Sequence, residues 1–122
     1  MSDWKPDCVF CLIAHGIIDG HPVAKNDYCL MIADKDPIAP VHMVVLTKDH
    51  FDNLSDMQRE ALAPKDILHV MFALIDDYVR NHNLDNGGYR VVINAGQDAG
   101  QTMKHFHMHL IAGAPLKNDF GA

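Results

Sequence analysis

A chain of 122 residues has the length of one domain and can bury a core without disulfide staples. Ten basic against sixteen acidic residues give a net charge of −6, which argues against a nucleic-acid polymer as partner, because binding a phosphate backbone draws on a clustered basic surface. Asp3, Lys5, Asp7, His15 and Asp19 break up the apolar residues near the start, so neither a signal peptide nor a membrane span is expected, and three cysteines, an odd number, suit a reducing cytoplasm.

The stretch CVFCLIAH, residues 8–15, predicts a short helix with Val9, Leu12 and Ile13 on one side, and GIIDGHP after it reads as a loop. Residues 28–33 (YCLMIA) and 41–47 (VHMVVLT) are β-prone runs separated by DKDPIAP, whose prolines suit a turn, so an antiparallel hairpin is expected. Ser55 stands three residues before Gln58 and predicts a helix start by the capping-box pattern. Pro64 interrupts that helix or opens a new one over about 64–82, where Ile67, Leu68, Met71, Leu74, Ile75 and Val79 recur at helical spacing. NLDNGG ends it with turn formers. YRVVINAG, residues 89–96, is a predicted strand, QDAGQ a loop, TMKHFHMHLIAG, residues 102–113, a second strand, and APLKNDFGA a tail. The sum is an α+β fold in a single domain over 1–122: an antiparallel sheet of about five strands with one long and one short helix.

The last strand holds the chemistry. Side chains alternate along a strand, so His105, His107 and His109 are expected on one face, while Lys104, Phe106, Met108 and Leu110 take the other, a mostly apolar row that fits packing against the long helix. Three imidazoles in register can form a solvated polar face, a metal site, or a nucleophile acting at phosphorus through a covalent intermediate. Just upstream, NAGQDAGQT supplies Asn94, Gly96, Gly100, Gln101 and Thr102, a loop whose backbone N–H groups and neutral side chains suit a small anion without any lysine. Cys8 and Cys11 have zinc-ligand spacing, but the chain has no second C-x-x-C, so two further ligands must come from elsewhere or the pair is simply reduced thiols. Cys29 lies in an apolar strand and reads as core, and His15, His21, His69 and His82 stand in no motif.

With these motifs together the sequence resembles the histidine triad (HIT) family of nucleotide hydrolases and transferases. The signature is His105-Phe106-His107-Met108-His109-Leu110-Ile111, with GQT and INAG before it, and the similarity runs back through CVFCLI, MIADKDPIAPVHMVVLTKDH and GGYRVVINAG to cover nearly the whole chain. The resemblance implies that His107 is the nucleophile at the α-phosphorus, that His109 contacts the phosphate and assists the leaving group, and that His42 supports the triad. Gln101 and Thr102, with Gly100 and Asn94 nearby, would bind phosphate or leaving group. Asp34 matches the ribose-binding carboxylate, although an Asp ahead of a proline turn also caps such turns. Phe10 and Ile13 match the apolar wall of the base. In some related proteins a cysteine pair is completed by the histidine after the hairpin and the first histidine of the triad, which implies a structural zinc on Cys8, Cys11, His50 and His105. No catalytic metal is required.

The activity implied is hydrolysis of a phosphoramidate, mixed anhydride or ester at the α-phosphate of a purine nucleoside monophosphate, on the phosphoramidase-like branch. The alternatives are dinucleoside polyphosphate hydrolysis and a nucleotide-binding regulatory module with little turnover. The chain departs from the family where many members carry a Glu-Ile-Pro type segment and this one has GIIDGHP, and its tail has no tryptophan. Family members usually pair as homodimers through the long helix and a sheet edge, and the apolar residues of 67–79 would permit that here.

Overall fold

The computed structural model describes residues 4–117; the ends of the expected domain, 1–3 and 118–122, lie outside the described residues. Helix α1 (Val9–Ala14) is followed by strands β1 (Ala24–Lys25), β2 (Cys29–Ala33) and β3 (Val41–Thr47). Helices α2 (Leu54–Arg59) and α3 (Ile67–Asn81) come next, then strand β4 (Tyr89–Val92), a 3-10 turn (Gln97–Ala99) and strand β5 (His107–Ala112). The strands form one antiparallel sheet in the order β1-β2-β3-β5-β4.

Helix α3 covers one face of this sheet. Ile67, Met71, Leu74, Ile75 and Val79 recur at the spacing of one helical stripe and are all buried. They meet Cys29, Met31, Val45, Phe106, Met108 and Leu110, the residues that strand alternation sends to that side. Each such side chain contributes about 1.5–3 kcal/mol of burial. The exposed side is tied by Arg80 to Asp76 at 3.1 Å and to Asp77 at 2.8 Å. Asn83 ends the helix in the left-handed region (φ 54°), with its N–H on the Arg80 carbonyl and the Leu84 N–H on the Val79 carbonyl. This paired closure normally uses glycine; here asparagine accepts the conformation and Leu84 returns into the core.

Two expectations are corrected. The second helix begins at Leu54, capped by Asn53 rather than Ser55: the extended Asn53 accepts the Asp56 N–H on Oδ1 at 2.9 Å, and the Asp56 carboxylate reaches back to the Asp52 N–H at 2.8 Å. Asparagine caps as well as serine, and the chain turns two residues earlier. The last strand begins at His107, not at residue 102. The Thr47 carbonyl that would extend the β3–β5 ladder is taken by the His105 ring at 2.6 Å, and the Phe106 N–H turns to the Phe51 carbonyl at 2.7 Å. Strand β1 is only two residues long and was not expected. Among the described residues no helix is long and apolar enough to cross a membrane.

Candidate active site

The sheet face away from α3 carries the polar groups. Register pairs Leu46 with His107, Val44 with His109 and His42 with Ile111, so these six side chains share that face. Helix α1 lies over it, with Phe10, Ile13 and Ala14 against Leu30, Ile32, Val44 and Leu46. Beside the helix opens a cavity of about 450 Å³, lined at one end by Phe10, Ile13, Ile32 and Val44 and at the other by Asp34, Thr102, His107 and His109. Its size and its division into apolar and polar ends suit a small molecule.

Hydrogen bonds fix the tautomers of the facing imidazoles. His107 Nδ1 lies 2.7 Å from the His105 carbonyl oxygen; a carbonyl only accepts, so Nδ1 carries the hydrogen and Nε2 keeps its lone pair. Among the described residues no side-chain nitrogen or oxygen is both sealed from solvent and unpaired, so Nε2 of His107 opens on the cavity. His42 has the opposite arrangement: its Nδ1 accepts the Ile38 N–H at 3.2 Å, which leaves the hydrogen on Nε2. That Nε2–H points to His109 Nδ1 at 2.9 Å and to Asp34 Oδ2 at 3.3 Å. His109 therefore accepts on Nδ1 and carries its hydrogen on Nε2. Two adjacent rings, 5.2 Å between centroids, present a lone pair and an N–H respectively.

Both rings are neutral near pH 7. Burial holds the His107 imidazole below its usual range, against the raising influence of the His105 carbonyl and Asp34. Burial, reinforced by His107 and His42, takes His109 down to about 4. A neutral imidazole with a free nitrogen is a competent nucleophile. The edge of Phe10, with centroids 5.2 Å apart, closes the ring of His107 from one side.

A second cluster sits behind the first. The Sγ of Cys8, the Sγ of Cys11 and the Nδ1 atoms of His50 and His105 all lie within 4.8 Å of one another. Sulfur-to-nitrogen separations are 3.3 Å for Cys8–His105, 3.4 Å for Cys11–His105 and 3.2 Å for Cys11–His50. Tetrahedral zinc with ordinary bond lengths has S···N edges of about 3.5 Å, so the set closes around one ion with shifts of a few tenths of an ångström. The nitrogens are presented correctly: His105 Nε2–H donates to the Thr47 carbonyl and His50 Nε2 is held by Asp52 at 2.8 Å, which turns both Nδ1 lone pairs inward. Without a cation, burial pushes the Cys11 thiol up to about 11; a metal would bind it as thiolate.

The fold has known counterparts. The HIT domain model matches residues 16–116. The chain belongs to the HIT family. A histidine triad protein from Clostridium difficile is 36% identical, with 94% of this chain and 97% of that one covered and a TM-score of 0.87. A HIT family hydrolase from Legionella pneumophila Philadelphia 1 is 28% identical over 94% of this chain and 100% of its own, with a TM-score of 0.85. A histidine triad nucleotide-binding protein from Candida albicans is 25% identical over 95% and 85%, with a TM-score of 0.76.

Within this HIT domain the residues expected at the site separate into three groups. Phe10, Ile13, Asp34, Thr102, His107 and His109 line the cavity, with His42 directly behind His109. Cys8, Cys11, His50 and His105 make the metal-competent cluster. Asn94, Gly100 and Gln101 are not in the cavity lining. Gln101 is turned into its own loop, its Oε1 accepting the Gly96 N–H at 2.8 Å and its Nε2 donating to the carbonyls of Asp52 at 2.6 Å and Met103 at 2.8 Å. Asp34 caps its turn, with Oδ1 accepting the Asp36 N–H at 2.8 Å, while Oδ2 faces His42 at the cavity. Gly20, Ile32, Val44 and Met103 are among the lining residues that sequence reasoning missed. Strand alternation signals two of them, since Ile32 precedes Asp34 by two and Val44 follows His42 by two.

Proposed function

We propose that this HIT protein hydrolyses a phosphoramidate, mixed anhydride or ester at the α-phosphate of a purine nucleoside monophosphate, with His107 as nucleophile. The single observation behind this is the unpaired Nε2 of His107 beside the Nε2–H of His109 at the polar end of a cavity whose other end is apolar. The description of the Legionella neighbour as a hydrolase and of the Candida neighbour as nucleotide-binding supports both halves of the reading.

The base lies between Phe10 and Ile13, the ribose hydroxyls donate to Asp34, and the phosphate meets His107, His109 and Thr102. The Nε2 lone pair of His107 forms the N–P bond while the bond from phosphorus to the leaving atom breaks and its electron pair departs with that atom. The Nε2–H of the neutral His109 donates a hydrogen bond to the leaving atom as it departs, and solvent supplies the proton that the leaving group takes up. Water then attacks the same phosphorus as the N–P bond breaks, the proton it loses passes to solvent, and the nucleoside monophosphate leaves with His107 neutral again. Asn94, Gly100 and Gln101 act from the loop behind Thr102, and Gln101 reaches the phosphate only by exchanging its present backbone partners.

A zinc ion on Cys8, Cys11, His50 and His105 would be structural, joining α1 to the two segments that flank the site, and no reaction step passes through it. Three free cysteines suit a cytoplasmic protein. A homodimer would use the open edge of β4 with exposed Phe72, since the apolar stripe of α3 is buried against its own sheet.

The test is turnover of an AMP-amide and a diadenosine polyphosphate side by side, with His107→Ala in parallel. A higher kcat/KM for the amide and loss of turnover with nucleotide affinity kept are expected. A His107→Ala variant that still turns over either compound refutes the nucleophile; wild-type protein that binds nucleotide without turnover would be a regulatory module.

A further inference from the structure

The polarity of the imidazole pair traces back to one backbone amide. We propose that the Ile38 N–H is a positioning group that sets the tautomer of His42 and, through it, makes His109 a hydrogen-bond donor toward the cavity. The chain of contacts is continuous: Ile38 N–H to His42 Nδ1 at 3.2 Å, then His42 Nε2 to His109 Nδ1 at 2.9 Å. A hydrogen on His42 Nδ1 would face the Ile38 N–H, so it resides on Nε2, and that Nε2–H requires a lone pair on His109 Nδ1.

The amide is well placed to hold this order. Its loop joins β2 to β3 and is fixed by Pro37 and Pro40, whose φ angles are locked, and by the Asp34 carboxylate on the Asp36 N–H. Pro40 in turn abuts Gly113, where an added Cβ would come within 3.0 Å of the proline ring. The Ile38 side chain is 60% exposed, so its role lies in the backbone and not in packing.

The same contacts decide between two uses of Asp34, His42 and His109, which also lie close enough to share an ion. A ligating His42 would need its lone pair on Nε2, where the Ile38 amide puts the hydrogen. The cluster is accordingly a tautomer relay and not a metal site. Without the amide, His42 is free to exchange tautomers and His109 with it, and in the other form His109 offers a second lone pair beside that of His107, which would repel the phosphate.

The catalytic consequence rests on the proposed roles of His107 and His109, whereas the tautomers are read without substrate, so the two can fail separately. Nitrogen-15 NMR of histidine-labelled protein at neutral pH is expected to show pyridine-type Nδ1 and pyrrole-type Nε2 on His42 and His109, and the reverse on His107. A pyrrole-type Nδ1 on His42 overturns the proposal. Ile38→Pro removes the N–H together with the side chain, whose loss alone Ile38→Ala reports, and is expected to mix the His42 and His109 tautomers and lower kcat about tenfold or more with KM within about twofold. Ile38→Ala keeps the N–H and is expected to keep the wild-type signals. A folded Ile38→Pro with unchanged signals, or an Ile38→Ala that matches it, overturns the relay; shifted signals with unchanged kcat overturn its catalytic half. Should Ile38→Pro fail to fold, the coupling across the hydrogen bond from the Ile38 amide to His42 Nδ1 is measured in the wild type, and its absence overturns the proposal.

Discussion

The His107 ring donates from Nδ1 to the backbone carbonyl of His105 at 2.7 Å, while the His105 ring points away into the cysteine cluster. One residue thus faces two sites, holding the nucleophile through its backbone and the metal-competent cluster through its side chain. Disturbing the cluster should therefore reach the cavity.

Cys11→Ser, or prolonged chelation of the wild type, should release one equivalent of zinc and cost at least about 2 kcal/mol of stability. For a chain of this size that lowers Tm by about 6 °C or more. Metal analysis with thermal melting checks this; protein isolated without zinc, and melting unchanged by chelator, would contradict it.

Asp52→Asn should weaken zinc about 10- to 100-fold, since the carboxylate 2.8 Å from His50 Nε2 orients that ring. Competition with a chromophoric chelator measures the change. Turnover at saturating zinc should stay near wild type, because Asp52 lies outside the cavity lining.

Gly20 makes room for the wall of the proposed base site. A Cβ there would come 2.5 Å from Ile13 Cγ2 and 3.4 Å from Ile32 Cγ2. Gly20→Ala should push Ile13 into the cavity and raise KM about fivefold with kcat little changed. Steady-state kinetics decide, and an unchanged KM would move the base elsewhere.

The buried histidines predict the acid limb of stability. His109 titrates near 4 in the folded protein and near 6.5 when unfolded. Above pH 6.5 both states are neutral and its contribution is complete. Between about 6.5 and 4 the unfolded chain binds a proton that the folded one refuses, so stability falls by up to about 1.4 kcal/mol per pH unit for this residue and levels off below. Denaturant unfolding at several pH values should show this slope reduced by about one proton in His109→Gln; an identical slope would contradict it.

Much of this was legible from period and spacing. The alternation of His107 and His109 with Met108 and Leu110 fixed which groups face α3, and the stripe from Ile67 to Val79 fixed which side of α3 meets them. What stayed hidden depends on contacts distant in sequence. His105 leaves the ladder because its ring takes the Thr47 carbonyl, and Gln101 turns inward because the carbonyls of Asp52 and Met103 are within reach. No residue type announces the Ile38 amide, since every residue but proline has one.

The most direct test is mass spectrometry of protein quenched during turnover of an adenylylated substrate. The account predicts a nucleotide added to the chain, mapped to His107 and absent from His107→Ala. Quenched, actively turning-over protein that carries no adduct, or carries it on another residue, would contradict it.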